Sequence, residues 1–174
     1  MLSLESLAGW EEAVLASIAG ATGSLLERDR QIERSGMYGE YPAILHAYQE
    51  LFDVDDVGCE AHKRALFLVW RGAMESPAIT GIAVLPEGTV RDVIESLDEY
   101  LRSGRGDEEL ELMLARYHAT SPDLLELFGA SAALVSIAAS RGPDEWRSVI
   151  VNDEQLRNRG QMGRYWAEQT NGAP

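Results

Sequence analysis

The residues able to do chemistry are few and widely spaced. His46 and Glu50 stand four apart and Cys59 and His62 three apart, so each pair could offer two metal ligands from one face of a helix. A structural zinc site wants four ligands, and the third histidine, His118, lies far along the chain. Helical di-iron sites need two copies of Glu-x-x-His, whereas Ala43, Cys59 and Ala115 stand three residues before the histidines. No metal and no cofactor is expected. Gly-x-Ser-x-Gly, the phosphate-cradling Gly-x-x-x-x-Gly-Lys-Ser/Thr loop and Gly-x-Gly-x-x-Gly are all absent, so no catalytic residue is assigned. Asp53, Asp55, Asp56 and Gly58 imitate the start of a calcium loop, but Arg64 occupies the position of its closing glutamate. Arg105-Gly106-Asp107 is read as a turn followed by a helix cap.

Two charged groupings are more informative. Arg64, Arg71 and Glu75 fall within about 20° of one line on a helix that is otherwise apolar nearly all round. The favoured reading is structural, with guanidinium groups snorkelling or pairing with acids of a neighbouring helix. The alternative is a ligand pocket of His62, Arg64, Arg71 and Glu75 that holds a carboxylate or phosphate bidentately. The second grouping is acidic. Asp92, Glu95 and Glu99 share the outer face of one helix, and Asp107, Glu108 and Glu109 open the next. Together they form a candidate surface for a partner.

The charge is uneven. The net value is −14, made of −9 in residues 1–60, +2 in 61–86, −7 in 87–126 and zero in 127–174. Such acidity disfavours nucleic acid or an anionic membrane as partner. The one cysteine, Cys59, rules out an internal disulfide, and the acidic start, with Glu5, Glu11 and Glu12, is unlike a secretory signal. Ala130–Ala139 is the most apolar window and is too short to span a bilayer. A cytoplasmic protein is expected.

The elements that must position these residues read as helices. Leu4, Leu7, Trp10, Val14 and Ile18 recur at helical spacing, as do Ile44, Leu45, Tyr48 and Leu51. Val90, Val93, Ile94, Leu97 and Leu101 give the best periodicity, with Thr89 and Asp92 resembling a capping box before them. Leu110, Met113, Leu114 and Tyr117 form another apolar face. Residues 24–35 are the weakest helix, with only Leu25, Leu26 and Ile32 for a core face. The run Ala65–Trp70 marks a central buried helix from about Glu60 to Glu75, ended by Pro77, and Ile79–Leu85 continues as an apolar, non-helical crossing. Pro143 opens a further helix with Trp146, Val149 and Ile150, and Asn152 or Asp153 caps the last segment. No stretch alternates with period two. The expectation is all-α: a single domain over 1–169, a helical bundle of about eight or nine helices around the central one, with a disordered tail at 170–174. A short stack of helical hairpins is the alternative.

The functional expectation is a non-enzymatic interaction module whose acidic face meets a basic protein partner, anchored by aromatics such as Tyr38, Tyr41, Trp146 or Trp166. In composition alone the chain resembles immunity proteins, small acidic helical inhibitors from bacteria. That resemblance carries no motif and no residue roles. The alternative is a small helical enzyme or ligand-binding protein built around the arginine-lined pocket.

Overall fold

A computed structural model describes residues 2–142, 144–148 and 156–171. Pro143, Val149, Ile150, Asn152 and Asp153, expected to start and cap the last helices, lie outside the described residues, as do 172–174 of the expected tail. Among the described residues there are ten α-helices and no strand. They are α1 (Leu4–Ala19), α2 (Leu25–Arg34), α3 (Glu40–Gln49), α4 (Gly58–Met74), α5 (Pro77–Thr80), α6 (Glu87–Arg102), α7 (Glu108–Thr120), α8 (Asp123–Leu127), α9 (Ala132–Ala139) and α10 (Gly160–Asn171). Short 3₁₀ turns lie at Met37–Gly39 and Glu145–Ser148.

The architecture is an all-α bundle organised around α4. Every residue from Ala61 to Trp70 is buried, because this helix is apolar around most of its circumference and needs neighbours on all sides. Those neighbours are α3, α5, α6, α7 and α10. Leu45 and Tyr48 of α3, Ile94 and Leu97 of α6, and Met113 and Leu114 of α7 belong to the same continuous core. Trp70 stacks on Tyr117 at 4.5 Å between ring centroids and donates its indole N–H to Thr120 Oγ1 at 3.0 Å. The aromatic cluster continues through Phe67, Tyr165 and Trp166, which fastens α10 to α4. Helices α1 and α10, from opposite ends of the chain, also pack together. A linear stack of hairpins confines contacts to neighbours, so this closure identifies a bundle.

Several local readings need correction. Helix α6 begins at Glu87, directly after Pro86, so Thr89 and Asp92 lie inside its first turns and form no capping box. In α2, Leu25 and Leu26 are exposed and Ile32 alone is buried; a box between Ser24 and Glu27 holds that helix's start. The stretch after Pro77 is helical for one turn, and the non-helical crossing is confined to the residues after Gly81. Gly81 makes that change of direction possible. Its φ is +75°, and an added Cβ would sit 2.3 Å from Ile18 Cδ1, so a side chain there meets both strain and a collision.

Candidate functional site

The most concentrated chemistry lies inside the molecule. Arg159, in the turn before α10, is flanked by Asn158 and Gly160, both with left-handed backbone (φ of 60° and 58°). Its guanidinium lies within 2.6 Å of Glu60 on α4 and of Glu109 on α7. Arg64 Nε donates to the same Glu60 carboxylate at 2.7 Å, and its Nη1 donates to the Leu4 carbonyl at 3.0 Å. Lys63 reaches Asp107 at 2.6 Å and Glu109 at 2.5 Å. Three buried cations thus share three carboxylates and tie α1, α4, α7 and the approach to α10 together. Burial works to lower the Lys63 pKa, but Glu109 and Asp107 outweigh it and the pKa is raised. Burial likewise opposes ionisation of Glu109, and Arg159 with Lys63 reverses the effect, so its pKa is lowered. Each cation has carboxylate partners at hydrogen-bonding distance, so the network is saturated and serves to position helices.

Glu11 is the most perturbed acid beside it. It is 1% exposed, accepts from the Tyr48 hydroxyl at 2.5 Å and accepts the Gln161 backbone N–H at 2.7 Å. Burial pushes its pKa up to about 7, against the lowering effects of Tyr48, Gln161 and Arg64. The carboxyl group occupies the start of α10, where unpaired N–H groups favour an acceptor. Gly160 is required there, since an added Cβ would come within 2.6 Å of the Glu11 carboxyl. Glu11 lines none of the three surface depressions described below.

The residues singled out in the sequence separate in space. His62 stacks on Phe52 at 3.9 Å, and its Nδ1 lies 2.8 Å from the Gly58 carbonyl. A carbonyl only accepts, so Nδ1 carries the hydrogen and Nε2 accepts from Ser96 Oγ at 3.0 Å. Burial lowers the His62 pKa to about 4, which keeps the ring neutral. Residue 62 lies roughly 160° around the helix from residue 64, so His62 does not join Arg64, Arg71 and Glu75. Arg64 and Arg71 do share a face, but two turns separate them. Arg64 enters the ionic network, while Arg71 pairs with Glu75 at 2.6 Å and covers the Tyr165 ring at 4.8 Å. His46 and Glu50 are exposed towards the end of α3, and Cys59 is half-buried at the start of α4. Among the described residues no group of three metal-ligating side chains converges.

The acidic set divides as well. Asp107 caps α7, accepting the Leu110 N–H at 2.9 Å, and with Glu109 it holds Lys63. Glu108 pairs with Arg141 at 3.3 Å. Asp92, Glu95 and Glu99 alone are exposed on α6 without an ion pair among the described residues. The aromatic anchors are not available either. Tyr41, Trp146 and Trp166 are buried in the core, and Tyr38 is half-buried and donates to Asp29.

One surface depression collects polar groups that the sequence gives no reason to group. It has a volume of about 270 Å³ and lies among α1, α2, α4, α5 and α10. Arg28, Arg71 and Arg164 line it, with Gln161, Tyr165 and Glu168. Arg28 Nη2 donates to the Ala78 carbonyl at 3.2 Å, and Arg164 Nε lies 3.4 Å from Glu12. The Nε of Arg28 and of Arg71 is buried with no hydrogen-bond partner, so the protein does not use up the donors of either guanidinium. Gln161 is held by its amide nitrogen, which donates to Tyr41 Oη at 2.6 Å and to the Thr80 carbonyl at 3.0 Å. Two other depressions are present among the described residues. A groove of about 700 Å³ between α1 and α10 is lined by Glu5, Glu12, Arg157, Asn158 and Arg164 together with Gly9, Gly160 and Gly163. An apolar one of about 250 Å³ lies beside Val84 and Phe128. No protein-family model, curated protein or solved structure matches this chain.

Proposed function

We propose that this is a binding protein for a small anionic molecule, held in the depression lined by Arg28, Arg71 and Arg164. The observation that carries the reading is the convergence of three guanidinium groups from α2, α4 and α10 on one concavity of a chain with net charge −14. Guanidinium forks suit carboxylate and phosphate oxygens, and the one hydrogen bond of Arg28 among the described residues goes from Nη2 to the Ala78 carbonyl. At about 270 Å³ the space is smaller than the roughly 300–1,000 Å³ typical of drug-sized ligands, so the ligand is small. Binding is favoured over catalysis because arginine and glutamine do not exchange protons near neutrality. Glu168 is the one carboxylate in the lining, and no hydrogen bond among the described residues orients it.

The test is calorimetric or NMR titration of the protein with acetate, hexanoate, phosphate and citrate, repeated on Arg28→Gln. At least one anion binding in the millimolar range or tighter, weakened about tenfold or more in the variant, supports the reading. No binding by any of the four at tens of millimolar overturns it. A second reading, an interaction module that meets a basic protein partner as immunity-type inhibitors do, is favoured by the exposed and unpaired line of Asp92, Glu95 and Glu99.

A further inference from the structure

The lining of the arginine-lined depression is of two kinds. Arg28, Arg71 and Arg164 are cationic, and Leu15, Ile18 and Ala19 of α1 with Ile79 of α5 supply an apolar wall. Ile79 is 50% exposed, although it follows the buried Ala78 in a tightly packed turn. An exposed branched side chain beside a row of guanidinium groups offers apolar contact that an inorganic anion would not use.

The charge of the site is also limited. Glu75 stands 2.6 Å from Arg71, and Glu12 stands 3.4 Å from Arg164. Arg28 has no carboxylate partner among the described residues; its nearest hydrogen bond goes to the Ala78 carbonyl. Glu168 lines the same space and opposes additional negative charge. Arg28 is therefore the one lining arginine with no carboxylate partner among the described residues, which suits a monoanion and disfavours a tricarboxylate or a polyphosphate.

Resting on the anion-binding reading, we infer that the ligand is a singly charged organic acid with a short apolar body, its carboxylate on Arg28 and its hydrocarbon against Leu15 and Ile79. The carboxylate supplies orientation through the fork of Arg28, and each methylene laid on the apolar wall adds affinity by leaving water. Full burial of a methylene is worth roughly fourfold in affinity, and an open wall that covers one side of the chain gives about half that effect on the logarithmic scale, roughly twofold.

The experiment is a titration of acetate, butyrate and hexanoate at constant ionic strength, against phosphate and citrate, on the protein and on Ile79→Ser and Arg28→Gln. Hexanoate should bind at least about tenfold tighter than acetate, as four methylenes at roughly twofold each allow. It should also bind tighter than phosphate or citrate. Ile79→Ser should flatten the chain-length series, weakening hexanoate most and acetate least; because Ile79 is half exposed, the fold is kept, which circular dichroism and a melting curve verify. Arg28→Gln should weaken every carboxylate. Phosphate or citrate binding as tightly as hexanoate, a flat series, or a series that Ile79→Ser leaves intact would overturn this inference while an anion pocket stands. Absence of any binding would remove the anion-binding reading itself, and this inference with it.

Discussion

Replacing Glu11 by glutamine should make the protein more stable above neutral pH and leave it nearly unchanged near pH 4.5. The wild-type side chain is 1% exposed, and burial moves its pKa from an ordinary 4.5 to about 7. A carboxyl group whose pKa is raised on folding binds its proton more tightly in the native state. Its contribution is complete below about pH 4.5 and is lost as pH rises to about 7, because the unfolded chain releases the proton first. Two and a half units at 1.36 kcal/mol each give about 3 kcal/mol. The glutamine side chain of Glu11→Gln would keep both contacts. Its carbonyl accepts the Gln161 N–H, and its amide donates to Tyr48, whose hydroxyl accepts as readily as it donates.

Urea unfolding of both proteins at half-unit steps from pH 4.5 to 8.5 measures the difference directly. The variant should gain about 3 kcal/mol on the wild type across the interval and then hold that lead. Asp107 and Glu109 do not confuse the result. Their pKa values are lowered, so their contribution is lost on acidification, at the low end of the range, and it is common to both proteins. A constant difference across the interval would mean that Glu11 titrates as an ordinary carboxyl. A lead for the wild type above pH 7 would mean that Arg64 and the start of α10 stabilise the anion more than burial penalises it. Either outcome refutes the reasoning.

Arg159→Met should cost about 3–5 kcal/mol in chemical denaturation, since it leaves Glu60 and Glu109 partly buried with fewer counter-charges; a loss below about 1 kcal/mol would make the network decorative. Replacing Asp92, Glu95 and Glu99 by Asn and Gln should leave stability unchanged or slightly higher. If the second functional reading holds, it should also slow association with a co-purified basic partner at least about tenfold at low salt, with the effect fading as screening increases. Equal association rates at both salt concentrations would reduce that face to solvated surface.

The helices that build the core are legible in the sequence because their period is local. Val90, Val93, Ile94 and Leu97 are within eight residues of one another, and all four are buried on one side of α6. The same is true of Ile44, Leu45 and Tyr48 in α3. What periodicity does not encode is which faces meet. Lys63 is one basic residue among fifteen until α7 brings Asp107 and Glu109 to it. Leu25 and Leu26 illustrate the reverse case: helical spacing marks them as core, yet α2 lies at the edge of the bundle and leaves them exposed. Helix α5 leaves only its Ser76-Pro77 start in the sequence, because a single turn is too short to show any period.

The candidate site divides along the same line. Arg71 stands out in the sequence as a charge on an apolar helix, and helical geometry alone separates it from His62. Arg28 and Arg164 have no such signal, since each sits on a helix where charge is ordinary. What joins them to Arg71 is the docking of α10 against α1 and the hydrogen bond of Arg28 to the Ala78 carbonyl. That docking depends in turn on Glu11, which accepts from the backbone N–H of Gln161 at the start of α10. Helix α10 carries Gln161, Arg164, Tyr165 and Glu168, all of which line the depression. A buried acid with a pKa of about 7 therefore sits beneath the helix that supplies much of the proposed binding surface. The Gln161 N–H, Tyr48 and Arg64 favour the ionised carboxylate, and burial, which favours the protonated form, prevails over them.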